Sequence, residues 1–208
     1  MATRRRRALW LTLAVLVAIG ALWAVLALFV YDVILFKSGT AIEMLPNLGP
    51  GARVLVNRLR TPRRGDVVVL ERKEGGYHMS RVVAVPGDRV AFVDSRPYVD
   101  GVKVEWDQVG YTIVDQRENL VFRETLGARN YLVLDDVNRR MQAMFSRPVS
   151  GYWVLEDNRE YLLGKDSRSL GEISRAQIRG VVTWVLATGD LPYVRPTQST
   201  PADAGVSE

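Results

Sequence analysis

His78-Met79-Ser80-Arg81-Val82-Val83-Ala84-Val85-Pro86-Gly87-Asp88-Arg89-Val90 decides how this chain folds. A β-branched apolar run stops at Pro86-Gly87-Asp88, and a second apolar run resumes at Arg89. Proline presets one turn dihedral and glycine admits positive φ, so the segment predicts two strands, 80–85 and 89–93, joined by a chain reversal. The same pattern continues on both sides. Further strands are predicted at 53–57, 66–70, 98–99 with 102–104, 131–134, 151–155 and 178–186, with little sustained helical period. Asp100-Gly101 between two short runs predicts a type I′ hairpin, which needs positive φ at both positions. The predicted class is mainly β. The interval 106–130 is less regular and reads as an insertion or flap, and 188–208, rich in Pro, Ser, Thr, Gly and Ala, reads as a disordered tail.

The first thirty residues are of another kind. No charge interrupts 8–31, and Arg4 to Arg7 stand directly before it. About 24 residues at 1.5 Å rise give roughly 36 Å of helix, enough to cross a hydrocarbon core of ~30 Å. The run is too long for the apolar core of a cleaved signal peptide and lacks small residues at its end, so it reads as a retained transmembrane helix. The arginines then predict a cytoplasmic N-terminus (1–7), with 32–187 forming an extracytoplasmic β domain on a single-pass protein of the cytoplasmic (inner) membrane.

The formal charge of +5 is a matter of topology. With Arg4 to Arg7 set aside the rest is nearly neutral, so no nucleic-acid surface is expected. Zero cysteines and one histidine leave no disulfide, no thiolate metal site and no histidine-rich centre. No cofactor or metal is expected, and the outer domain must stand on its hydrophobic core.

Four blocks occur in a fixed order. They are Met44-Leu45-Pro46-Asn47-Leu48 with Gly51; Arg64-Gly65-Asp66 before an apolar strand; Ser80-Arg81 before Pro86-Gly87-Asp88; and Glu156-Asp157-Asn158-Arg159 before Asp166-Ser167-Arg168 and Gly171. Over most of the chain this order resembles the type I signal peptidases, membrane-anchored serine proteases that remove signal peptides from exported proteins. The resemblance implies a groove for an extended precursor segment, a serine nucleophile before the methionine, and a lysine base before the arginine.

Both catalytic positions depart from that pattern. Read without gaps, Glu43 stands at the nucleophile position and Ala41 at that of the oxyanion-stabilising serine. If 41–43 is instead an insertion, Thr40 becomes the nucleophile and Ser38 the oxyanion donor. The base position admits no such shift and holds Ser80, whose hydroxyl cannot replace a desolvated lysine as a base. His78 lies two residues earlier on the same face of the predicted strand, ~7 Å away. It reads either as a substitute base or as an exposed or capping residue near Gly75-Gly76. Lys37, Lys73 and Lys165 fall in segments that read as exposed, and a role-reversed pair, Glu43 as base to Ser80, is a further arrangement. Arg81, Asp157, Asn158, Arg159, Asp166, Ser167 and Arg168 read as supporting residues, with Asp166 and Arg168 as an ion pair and Ser167 near the base position.

Two functions follow as expectations. One is a non-catalytic homologue that binds signal peptides or precursors, partnering other secretion or pilus-assembly proteins. The other is an active signal peptidase with a displaced dyad, Thr40 or Ser38 with His78 or a lysine.

Overall fold

The computed structural model describes residues 2–36, 42–72, 75–93, 96–135, 145–160 and 166–197. The chain opens with helix α1 (Ala2–Val30), of which Trp10–Val30 is long and apolar enough to cross a membrane and none is buried against the domain. Without a linker it passes into β1 (Tyr31–Leu35), a strand the sequence reading did not separate from the apolar run.

Next come a 3-10 turn (Ile42–Met44), β2 (Arg53–Asn57), β3 (Val67–Glu71), β4 (Tyr77–Ala84), β5 (Arg89–Val93), β6 (Arg96–Val99), β7 (Val102–Lys103), β8 (Glu105–Val114), β9 (Arg117–Leu126) and β10 (Arg129–Asp135). The chain continues through β11 (Phe145–Pro148), β12 (Trp153–Leu155), the one-turn helix α2 (Ser167–Leu170), β13 (Ile178–Ala187) and β14 (Arg195–Pro196). The domain is mainly β.

Its strands form three antiparallel sheets, ordered β1-β2-β13-β3-β4-β12, β10-β9-β8-β14 and β11-β5-β6-β7. The β4–β5 connection is the Pro-Gly-Asp turn, closed by the Asp88 amide donating to Val85 O and the Val85 amide donating to the Asp88 carboxylate. At the β6–β7 hairpin Asp100 and Gly101 have φ of 54° and 81°, the pair of positive values a type I′ turn needs.

The central strands β3 and β4 are covered on both faces. Val69 and Met79 pack with Met44, Leu48, Val54 and Val56 on one side, while Val68, Leu70 and Val82 pack with Val154, Ile173 and Val181 on the other. A third cluster, including Val83, Val90, Phe92, Phe122, Tyr131 and Trp153, joins the far end of β4 to the two smaller sheets. Burial on both faces is why 67–70 reads as a continuous apolar run rather than an alternating one.

Two expectations are corrected. The interval 106–130 is no irregular flap: it is the long β8–β9 hairpin with β10 beside it. Its turn is made by Asp115 and Gln116, both at positive φ without glycine, and exposed charges at Glu105, Asp107, Glu118 and Arg123 interrupt its apolar pattern. The assigned tail begins too early. Thr188 O accepts from the Gly49 amide, the Asp190 amide donates to Pro50 O, and β14 pairs with β8, so the chain stays on the domain through residue 197. Residues 198–208 lie outside the described residues.

Candidate functional site

The site is built where the 3-10 turn packs against β4. Asn158 clamps that turn: its backbone amide donates to Glu43 O at 2.9 Å and its Nδ2 to Ile42 O at 3.3 Å. Glu43 is only 4% exposed. Its carboxylate faces the guanidinium of Arg72 at 3.6 Å, an ion pair that reaches across from the end of β3. A carboxylate sheltered this far from water needs a cation beside it, and Arg72 is that cation.

Ser80 lies in the middle of β4 with no exposed surface. Val68 stands opposite it and Leu70 opposite His78, so Ser80 and His78 share the face of Val68, Leu70 and Val82. Among the described residues the Ser80 hydroxyl makes no hydrogen bond, so it is not joined to Glu43. His78 is 4% exposed within the strand, which corrects the reading of it as an exposed or capping residue. Thr40 and Ser38, with Lys37, Lys73 and Lys165, lie outside the described residues.

The strand edge matters as much as the side chains. β12 pairs with β4 only from Arg81 to Ala84, while β3 pairs with it from Tyr77 to Arg81. Among the described residues the edge of β4 away from β3 is therefore unpaired along residues 77–80, beside the 3-10 turn.

Around this edge stands a dense polar frame. Asp157, fully buried, accepts from Arg81 Nε at 2.8 Å and Arg81 NH2 at 2.6 Å, and from Asn47 Nδ2 at 2.7 Å. Arg81 NH1 donates to Gly65 O, and the guanidinium stacks 3.9 Å from the centre of the Tyr131 ring. Burial alone would lower the Arg81 pKa, but Asp157 more than offsets it and the guanidinium is held charged. Asn47 also exchanges two bonds with the backbone of Leu132, tying the Met44–Leu48 loop to β10.

Beyond Asp157 a second buried acid, Glu124, accepts from Trp106 Nε1 at 2.7 Å, Arg159 NH2 at 2.9 Å and the Tyr131 hydroxyl. Burial, then the Glu124 carboxylate, push the Tyr131 phenol well above its ordinary value. Arg159 is kept charged by Glu124 against the opposing effect of burial.

Asp166 caps α2, accepting from the Arg168 amide at 2.9 Å and from the Glu156 amide at 3.1 Å, and pairs with Arg168 NH2 at 2.8 Å. The Ser167 hydroxyl accepts from the Val154 amide at 2.9 Å, fastening α2 to β12, and it is not hydrogen-bonded to Ser80.

Sequence reasoning missed Arg72, Asn47, Tyr131 and Glu124. Asn47 was within reach, because it sits inside the Met-x-Pro-x-Leu block. Nothing local distinguishes Arg72 from the chain's many surface arginines.

Chemically, the arrangement leaves the edge of β4 along residues 77–80 unpaired by any described strand, with residues 78–80 themselves buried. Among the described residues it brings no amine and no hydrogen-bonded hydroxyl to the serine and lysine positions. No group of three or more metal-ligating side chains occurs among the described residues either.

Known proteins similar to this chain are signal peptidases. The family model described as signal peptidase, peptidase S26, matches residues 7–187. Signal peptidase IB of Staphylococcus aureus strain Mu50 is 31% identical over 146 residues, covering 68% of this chain and 72% of that protein. Signal peptidase I of Rickettsia canadensis is 31% identical over 120 residues, covering 51% of this chain and 44% of that protein. A solved signal peptidase I from Enterococcus faecalis is 22% identical and covers 60% of this chain and 98% of its own, with a TM-score of 0.37.

Proposed function

The chain belongs to the peptidase S26 family of signal peptidases, and on that premise we propose that it binds the signal-peptide region of exported precursors without cutting it. The observation that carries this reading is the pair Glu43–Arg72 at the nucleophile position, together with Ser80 at the base position. A carboxylate there opposes the oxyanion that peptide cleavage must build. A buried serine without a hydrogen-bond partner takes no proton from a neighbour.

Retention of the surrounding frame supports a working groove. Asp157 with Arg81 and Asn47, and Asp166 with Arg168, hold the turn and β4 in place around an edge that no described strand pairs with. An extended precursor segment adds to residues 77–80 by main-chain bonds. The domain works on the outer side of the cytoplasmic membrane, tethered by α1 with its N-terminus inside, and hands precursors to secretion or surface-assembly proteins.

The test is binding and integrity of the peptide measured together. Full-length chain in lipid nanodiscs is titrated with a fluorescent synthetic signal peptide, and the peptide is weighed afterwards by mass spectrometry. Saturable binding with intact peptide is expected. Absence of binding, or recovery of two fragments, contradicts the proposal. A displaced dyad remains the competing reading because His78 is buried on the same strand face as Ser80.

A further inference from the structure

We propose that the arginines gathered where α1 meets the domain form a docking collar for the phosphate groups of anionic phospholipids. This goes beyond precursor binding and rests only on α1 crossing a bilayer.

The junction is tightly built. The backbone amide of Arg58 donates to Val30 O at 2.8 Å, its Nε donates to Phe29 O at 2.9 Å, and its NH2 donates to the same oxygen. These carbonyls belong to the last turn of the helix and have no partner further along it. A guanidinium bonded to them lies at the level where α1 leaves the hydrocarbon, which is the depth of lipid phosphates. Leu59, the next residue, is 72% exposed.

Two more arginines share this level. Arg175 NH2 donates to Arg58 O and its NH1 to Ile178 O. Arg179 bonds Asp32, the second residue of β1, at 2.8 Å.

The carboxylates nearby only partly neutralise the group. Asp32 pairs with Arg179 at 2.8 Å and with Arg58 at 3.9 Å, while Glu71 reaches only Arg179, at 3.4 Å. Asp66 is taken up by Arg60 and Arg129. Arg175 is bonded to carbonyls that carry no charge, and among the described residues no carboxylate pairs with it. Three arginines thus stand with two carboxylates at phosphate depth, leaving an excess positive charge, and the N–H groups of Arg58 and Arg175 not bonded to carbonyls can donate to a phosphate. An anionic lipid gains from this charge and a zwitterionic one gains much less.

The experiment uses the full-length chain in phosphatidylcholine nanodiscs doped with spin-labelled phosphatidylglycerol or spin-labelled phosphatidylcholine. The ratio of motionally restricted label gives the lipid preference. A preference for phosphatidylglycerol of about five-fold is expected, falling at least two-fold in Arg58→Gln/Arg175→Gln and largely kept in Arg58→Lys/Arg175→Lys. If the glutamine pair fails to fold, the lysine pair and the wild type are compared at low and high salt, where the preference must be erased by screening.

Because Arg4 to Arg7 attract anionic lipid at the other end of α1, those four are also changed to glutamine together. A preference abolished by that change alone, or unaltered by loss of Arg58 and Arg175, overturns the collar. A chain that does not enter the bilayer overturns the anchor and the collar with it, whereas peptide binding in the same discs is read separately.

Discussion

The guanidinium of Arg72 stands 3.6 Å from the carboxylate of Glu43, the residue directly before Met44 and the nucleophile position of the gap-free reading. The pair is mostly sheltered from water, with side-chain exposures of 20% and 5%. Such a pair holds its place because removing one partner strands the other.

That coupling is measurable. Glu43→Gln and Arg72→Gln each lower thermal stability in detergent, and the double variant loses less than the sum. The expected interaction free energy is about 0.5 to 3 kcal/mol, the range for contacting charged neighbours. Additive effects would mean that the two side chains do not pair in solution.

Asp157 carries the frame around β4. Asp157→Ala leaves Arg81 buried with no carboxylate and is expected to cost about 3 to 5 kcal/mol. Asn47→Ala removes one bond to the same carboxylate and two with the Leu132 backbone and is expected to cost about 1 to 3 kcal/mol. Denaturant titration ranks the two, and a larger loss for Asn47→Ala would contradict the assigned role of Asp157.

Acid stability should depend on Glu172. Its carboxylate accepts from the Ser150 hydroxyl and from the Ser150 and Gly151 amides, and these bonds hold it below its ordinary value of 4.5. A carboxyl lowered by folding contributes stability that is present above about pH 4.5 and is lost as pH falls through the folded value. Melting temperature against pH should therefore drop on the acid side more steeply in the wild type than in Glu172→Gln. Parallel profiles below pH 4.5 would remove Glu172 from the account.

Chemistry should be recoverable by substitution. Glu43→Ser with Ser80→Lys is expected to cleave a signal peptide, and Glu43→Ser alone to remain roughly 100- to 10,000-fold slower for want of a base. Equal rates for the single and double variants would show that another residue serves as base.

Much of the fold was legible because its turns use residues with one reading. Pro86-Gly87 and Asp100-Gly101 mark reversals from sequence alone, and the strands beside them follow. The β8–β9 hairpin was not legible. Asp115 and Gln116 adopt positive φ without glycine, and Glu124 sits fully buried where the pattern calls for an apolar residue. Its burial is accounted for by Trp106 of β8, Tyr131 of β10 and Arg159, which the folded sheet brings around it.

The site shows the same division. Asp157, Asn158 and Arg159 were found by their order after Pro-Gly-Asp, whereas the Glu43–Arg72 contact joins residues that no spacing rule connects. The depth of His78 was equally hidden, because two adjacent glycines drew it toward a turn while β3 takes it into the sheet.

The most direct test places the full-length chain in cells depleted of their own signal peptidase and follows one exported precursor. The precursor is expected to stay full-length while it co-purifies with the chain, and maturation to return only with Glu43→Ser and Ser80→Lys together. Maturation by the unaltered chain, surviving Glu43→Ala but lost in Thr40→Ala or His78→Ala, would contradict that expectation.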